Sequence, residues 1–292
     1  MFKKNSRLIL LVLTFCIFIT LFLTLTGNYP LAVSSSFDLN SIKTQDGLLQ
    51  INENVFVNNE SKYNVNMTLI VSGKQAAIID TGYGKEEVQR VKNYIEKNSL
   101  EVELIVITHN HFDHKANIEL LKSDNTKVYD YANTEDGQVI KLGDKSLRII
   151  DTPGHDGDRH ISVELMDYNM LAAGDIVSSS EPPAIMSPDI FMTYKATLEK
   201  IFNNKYTLII PGHGPLVNTA SMKERSLNYL NNTEKIVAAY LKKGTSSAEI
   251  TKVSLEQCAK EYKEYTASHS QTLHRNNLLN IYLALRSEQK TK

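Results

Sequence analysis

The sequence predicts an α/β fold whose sheets are covered by helices, preceded by one membrane-length apolar segment and followed by a helical tail. Three observations carry that prediction. Short apolar runs end in Gly, Pro, Asp or Asn; segments of helical periodicity lie between several of them; and strand-like runs stop beyond Pro215. A length of 292 residues gives room for one large domain, or one domain with an appendage. With 42% hydrophobic and 22% charged residues the composition is that of a globular chain rather than a disordered one. A net charge of -1 leaves no basic surplus, so no nucleic-acid partner is expected. The two cysteines, Cys16 and Cys258, lie far apart, which excludes a disulfide scaffold and a cysteine-based zinc knuckle.

Taken in order, the chain begins with Lys3, Lys4 and Arg7, then runs uncharged for 19 residues from Leu8 to Thr26. At about 1.5 Å rise per residue this run approaches the ~30 Å hydrocarbon core of a bilayer. The next basic residue is Lys43, and this bias places the N-terminus inside and the body outside the cytoplasm. The run exceeds the about 7–15 apolar residues of a cleaved signal peptide, which favours an uncleaved single-pass transmembrane helix. Ala32-Val33-Ser34 offers the alternative of signal cleavage and secretion. Residues 1–34 are thus the anchor and connector, 35–217 the α/β domain, and 218–292 a C-terminal helical region.

Within the body, "AAIID" (Ala76 to Asp80) is a buried strand stopped by "TGYG". "KEEVQRVKNYIEKN" follows as a helix with Val88, Val91 and Ile95 in phase. "ELIVI" is the next strand, and "HKANIELLKSDN" reads as a helix ending near Asn125. "KVYDY", "SLRIID", "ISVELM", "NMLAAGD" and "YTLIIPG" continue as strands. In the tail, Leu227, Leu230, Ile236, Val237, Tyr240 and Leu241 recur at helical spacing before Gly244, a good helix stop. Two further helical stretches follow it, "AEITKVSLEQCAKEYKEY" and "LHRNNLLNIYLALRSEQ".

The chemistry concentrates in "HNHFDH", which places three of the eight histidines and one aspartate between His109 and His114. Histidine pairs separated by one residue can aim both imidazoles to one side of a turn, and aspartate adds a hard oxygen. Taken alone, such a cluster also fits surface decoration or a capping turn. Three further candidates, each following an apolar run, make a metal centre the better reading: "LRIIDTPGH" delivers His155, "MLAAGD" Asp175 and "TLIIPGH" His213. Strand ends and the loops after them are where a rigid scaffold presents reactive side chains.

These motifs resemble the metallo-β-lactamase superfamily, from about Asp46 to Val217. "HNHFDH" matches the family's His-x-His-x-Asp-His, "DTPGHDGDRHIS" its third histidine motif, "AAGD" its bridging aspartate, "PGHGP" its last histidine and "IIDTG" its early Asp-Thr-Gly turn. The resemblance implies a four-layer αββα sandwich with a dinuclear metal site at one edge of the sheets. It implies that His109, His111 and His155 hold the first ion, that Asp113, His114 and His213 hold the second, and that Asp175 bridges them. Asp80 would orient the histidine-rich loop from behind. Possession of both His114 and Asp175 makes the chain similar to the glyoxalase II, lactonase and general hydrolase branch. The 38-residue step from Asp175 to His213 leaves no room for the insertion of the RNA-cleaving relatives. His111 stands where the oxygen-reducing relatives carry glutamate.

The expectation is a zinc-dependent hydrolase in which two ions, about 3.5–4 Å apart, share a bridging hydroxide that attacks an ester, thioester or lactone of a small extracytoplasmic substrate. Asp113 and Asp175 are the candidate catalytic carboxylates, Asp113 by relaying the nucleophile's proton. A phosphodiesterase on the same ions and a non-catalytic metal-containing binding module are the alternatives. Tyr194, before a helix in a region where relatives place substrate contacts, is a candidate substrate contact against simple packing. The loop Ser180 to Pro188 is expected to border the pocket. His160 reads as a hydrogen-bonding loop residue, and His269 and His274 as solvated or packing residues.

Overall fold

The computed structural model describes residues 37–59, 65–155, 159–259 and 268–291. The expected membrane anchor and its cleavage alternative lie outside the described residues. No helix among the described residues is long and apolar enough to cross a membrane.

Strands β1 (Lys43–Gln45), β2 (Leu48–Gln50), β3 (Val55–Asn58), β4 (Met67–Ser72), β5 (Gln75–Ile79), β6 (Glu101–Val106) and β7 (Lys127–Tyr129) form one sheet in that order. The second sheet contains β8 (Val139–Leu142), β9 (Lys145–Asp151), β10 (Ile161–Leu165), β11 (Met170–Ala172) and β12 (Leu208–Ile210), in the order β12-β11-β10-β9-β8. Pairing is antiparallel except for β5 with β6, β6 with β7, and β11 with β12. Both sheets are therefore mixed.

The two-residue period of the strands assigns the layers. Ile70, Ala77, Ile79, Leu104 and Val106 point from the first sheet into a core shared with Ile149, Ile161, Val163, Ala172 and Ile210 of the second. Their sequence neighbours Leu69, Ile78 and Ile105 face the other way, onto Val88, Val91 and Tyr94 of helix α1 (Lys85–Lys97). On the far side, Leu171 and Ile209 face Phe191, Leu198 and Ile201 from a later helix. The layers therefore run helix, sheet, sheet, helix, and each large apolar side chain so buried contributes about 1.5–3 kcal/mol.

Local chemistry sets the helix ends. The Glu87 carboxylate accepts from the Gly84 N–H at 3.2 Å to start α1. Glu86 and Glu87 in the first turn and Lys97 in the last suit the helix dipole. The single helix expected after His114 is instead two short ones, α2 (Phe112–Lys115) and α3 (Ile118–Leu121). The break lies at Asn117, whose backbone N–H donates to Thr81 Oγ1 (3.2 Å) rather than continuing a helix, while its Nδ2 donates to the carbonyls of Thr81 and Gly82 (3.0 and 2.9 Å).

Helix α4 (Phe191–Asn203) and the tail cover the second sheet. The tail comprises α5 (Thr219–Lys223), a π-helical turn over Glu224–Asn228, α6 (Tyr229–Lys242), α7 (Ser247–Ile250), α8 (Leu255–Cys258) and α9 (Ser268–Thr291). Leu230, Val237, Ile250, Leu255, Leu278 and Ile281 join Leu171 and Ile209 in one cluster. Gly244 follows α6 at φ 71°, a left-handed stop that glycine adopts without strain. His274 is buried: Tyr229 Oη donates to its Nδ1 (2.9 Å) and its Nε2–H donates to the Val253 carbonyl (3.0 Å).

Candidate metal centre

Each candidate ligand follows a strand. His109, His111, Asp113 and His114 leave the end of β6, His155 follows β9, Asp175 follows β11 and His213 follows β12. The two sheets are stitched together at this edge. Ile161 N–H donates to the Thr108 carbonyl at 2.9 Å, and the His213 backbone bridges both Val65 and Ser178. Asn66 Nδ2 donates to the carbonyls of Pro211 and Gly214 at 2.8 and 2.9 Å, fixing the turn that carries His213.

Two clusters result. His109, His111, His155 and Asp175 each offer a ligand atom within 4.8 Å of the others, and Asp113, His114 and His213 form a second set on the same criterion. Asp175 reaches both sets. Its Oδ2 lies 3.5 Å from Nε2 of His109 and of His155 and 3.3 Å from His213 Nε2, while its Oδ1 lies 3.1 Å from His114 Nε2. Asp113 Oδ2 is 3.6 Å from His213 Nε2. Burial opposes charge on Asp175, but His114, His213 and His109 outweigh it and hold the carboxyl well below the usual range. Burial also opposes a charged His114, yet Asp175 and Asp80 prevail and raise it well above an ordinary imidazole. The buried carboxylate thus demands positive charge beside it, which a divalent ion in either cluster would supply.

The residues fit such ions. His109 Nε2 is buried and makes no hydrogen bond among the described residues, while its Nδ1 is engaged by Thr108 Oγ1 at 3.0 Å. His114 likewise has its Nδ1 tied, 2.8 Å from Asp80 Oδ2. Imidazoles with one nitrogen tied and the other facing a shared carboxylate match the way ligating histidines are held. Asp80 is 2% exposed, and it also accepts from Thr108 N–H and Thr108 Oγ1, both at 2.9 Å. Its φ of 57° is left-handed, a conformation that Asp tolerates better than most residues.

Two glycines make the approach of the loops possible. At Gly174 (φ 58°) a Cβ would lie 2.7 Å from His160 Nε2 and 2.8 Å from Thr108 Cβ, and at Gly212 it would collide with Asp175 Oδ1. His160 joins neither cluster. It lies fully buried below Asp175, accepts that residue's backbone N–H at 3.0 Å, and donates from Nδ1 to Thr152 Oγ1 at 2.8 Å. Burial, reinforced by His109 and His155, keeps it neutral with a pKa well below the ordinary value. The sequence named His160 as a hydrogen-bonding residue but gave no sign that its partner would be the Asp175 backbone.

A cavity of about 550 Å3 opens onto the clusters, its inner wall formed by His111, Asp113, His155, Asp175 and His213. Its outer wall is Glu181, Ala184 and Met186 of the proline-rich loop with His269 and Leu273 of α9. Tyr194, the candidate substrate contact, does not reach this cavity. It is 1% exposed, and its hydroxyl donates to the Ile176 carbonyl at 3.0 Å, so it supports the Asp175 turn from inside the core. The reason is helical phase: Tyr194 shares the inward face of α4 with Phe191, Leu198 and Ile201. His269, read as a solvated or packing residue, also borders the cavity and lies 3.2 Å from Glu181 Oε2 through its Nε2. Burial raises the Glu181 carboxyl above its usual value, with His269 and His213 pulling it back.

Comparison with known proteins agrees with this geometry. The profile of the Metallo-beta-lactamase superfamily matches residues 62–131 and 124–213, more than half of the chain. The chain is 26% identical over 208 residues to a beta-lactamase-like protein 2 homolog of Caenorhabditis elegans, covering 65% of this chain and 68% of that protein. It is 28% identical over 161 residues to the thioesterase pkgB of Emericella nidulans, covering 52% of this chain and 46% of that protein. It is 33% identical over 119 residues to a hydroxyacylglutathione hydrolase of Francisella tularensis subsp. novicida, covering 36% of this chain and 47% of that protein. The chain thus spans about half the length of the last two relatives. A beta-lactamase domain protein from Burkholderia ambifaria has the same fold, with TM-score 0.62 at 16% identity over 88% of this chain and 94% of that one.

The chain belongs to the metallo-beta-lactamase superfamily. With its two His/Asp clusters it is a metallo-hydrolase with a dinuclear-like centre.

Proposed function

We propose that this enzyme hydrolyses the carboxylic ester, thioester or lactone bond of a small extracytoplasmic molecule, with Zn2+ as the native ion in both clusters. The observation that carries this reading is Asp175, a single buried carboxylate within 3.5 Å of imidazole nitrogens from both clusters. The presence of His114 beside it, and relatives named as a thioesterase and a hydroxyacylglutathione hydrolase, favour acyl chemistry over phosphodiester chemistry. The uncharged N-terminal run supports a single-pass anchor with the catalytic body outside the cytoplasm.

When bound, two divalent ions supply an activated water and polarise the scissile carbonyl. In this reading His109, His111 and His155 would hold one ion, Asp113, His114 and His213 would hold the other, and Asp175 would serve both. Asp80 fixes the tautomer of His114 by accepting its Nδ1–H, leaving Nε2 as the ligand atom. The Asp113 carboxylate, half-buried on the cavity wall, would take up the proton of the attacking water on the oxygen that does not face His213 and would pass it to the leaving group. The outer wall of Ala184, Met186 and Leu273 reduces water around the substrate.

The test is a panel of chromogenic esters, thioesters, lactones and bis-phosphate diesters offered to the zinc-loaded full chain. Turnover of acyl substrates is expected. Asp175→Ala should cut it by more than the about 10–100-fold typical of a lost supporting residue, with folding retained by circular dichroism. Cleavage confined to the phosphodiesters, or no turnover by protein carrying two ions, overturns the acyl reading.

A further inference from the structure

The outer wall of the cavity faces the metal clusters with a different chemistry. Ala184, Met186 and Leu273 are apolar, and Glu181 is the one carboxylate among the described residues of that wall. Its side chain is 29% exposed, and its Oε2 lies 3.2 Å from Nε2 of His269, which is 69% exposed and so sits on the solvent side. The loop that carries Glu181 is pinned to α9. Ile185 N–H donates to Asn277 Oδ1 at 2.8 Å, Asn277 Nδ2 donates to the Pro183 carbonyl at 2.6 Å, and Asn280 Nδ2 donates to the Ile185 carbonyl at 2.6 Å. The loop backbone beside Glu181 is therefore fixed before any ligand arrives, which lowers the ordering cost of binding.

We propose that Glu181 makes the cavity selective for substrates bearing an ammonium group remote from the scissile bond. This rests on the acyl-hydrolase reading above. With ions in the clusters the cavity has a cationic inner end and an anionic outer end. A substrate with its carbonyl at the inner end and an ammonium at the outer end is complementary to both, and the reversed orientation is repelled at each. Ala184, Met186 and Leu273 pack the alkyl chain between these ends. His269 occupies Glu181 Oε2 in the free enzyme, and its exposed imidazole can leave to solvent when the ammonium takes its place. A carboxylate-ended substrate meets repulsion at Glu181, and His269 is the one cationic side chain among the described residues of that wall to answer it.

The experiment uses three p-nitrophenyl esters of equal chain length, ended by ammonium, methyl and carboxylate, on the zinc-loaded full chain. Wild-type kcat/KM should favour the ammonium ester over the carboxylate ester by at least about tenfold, mainly through KM, because this contact is equal in ground and transition states. Glu181→Gln should reduce that ratio to near one with zinc content unchanged. Glu256→Gln, on an exposed position of α8, should keep the wild-type ratio. An unchanged ratio in Glu181→Gln, or no charge preference in the wild type, overturns the proposal. If none of the three esters is cleaved, the ester branch of the acyl reading fails by itself. Calorimetric binding of the matching ammonium- and carboxylate-ended amides then decides the charge preference independently, and equal affinities overturn it.

Discussion

Replacing Asp80 by Asn changes one atom in the support of the histidine-rich loop. Asp80 Oδ2 accepts two hydrogen bonds, from Thr108 Oγ1 at 2.9 Å and from His114 Nδ1 at 2.8 Å, while Oδ1 accepts the Thr108 N–H at 2.9 Å. In the Asn variant the bond to Oδ1 survives, and the Thr108 hydroxyl can rotate to accept. His114 has no such option. It must lose its partner or move its proton to Nε2, the atom 3.1 Å from Asp175 Oδ1 that faces the second cluster. A lost hydrogen bond to a charged group costs about 1.5–3 kcal/mol. Independently, loss of a residue that orients a ligating histidine weakens metal binding about 10–100-fold, which is about 1.4–2.8 kcal/mol. The two figures agree, so one of two zinc equivalents should weaken about 10–100-fold in a chelator competition titration. The equivalent proposed above for His109, His111 and His155 should be spared, and the melting curve should show a folded protein. Wild-type affinity for both equivalents refutes the tautomer argument, and so does loss of both together with cooperative melting.

Further outcomes follow from other features. Gly212→Ala places a methyl against Asp175 Oδ1, so it should cost about 1–3 kcal/mol by overpacking and lower metal content, measured by denaturant titration and elemental analysis. Burial holds the His274 pKa below its ordinary value, with the Val253 carbonyl opposing the shift, so the folded state keeps this ring neutral. Its contribution to stability is complete above about pH 6.5 and is lost as the pH falls from there towards the depressed folded value, by at most about 1.4 kcal/mol per pH unit. His274→Gln should remove that part of the slope, and an unaltered slope between the two proteins contradicts the neutral assignment. For the anchored topology proposed above, protease added to intact cells should digest the catalytic body, whereas protection until the membrane is breached contradicts it.

The central strands and the candidate ligands were legible because they share one signal. A parallel or doubly covered strand is a continuous apolar run, and a polar residue directly after "ELIVI", "LAAG" or "LIIPG" is conspicuous. The early strands were less so, since β1 and β2 are three residues each and partly polar. The helix break at Asn117 depends on hydrogen bonds to Thr81 and Gly82, more than thirty positions earlier, which no local periodicity contains. Tyr194 was decodable after all: Phe191, Tyr194, Leu198 and Ile201 recur at steps of three and four, which marks an inward face. Glu181 and His269 carry no such mark. Nearly ninety residues separate them, and only the docking of α9 against the proline-rich loop makes them neighbours.

The edge where β6 meets the second sheet divides ownership of the ions. Four of the seven metal-facing residues leave the first sheet and three leave the second, so neither half of the polypeptide carries a complete set for the first cluster or for the second. An ion there is a clamp across the interface, available only when the halves are docked. Its concentration then enters the folding equilibrium itself: free ion at about a thousand times its dissociation constant adds about 4 kcal/mol. Metal supply would then set how long the docked form lasts as well as how fast it turns over.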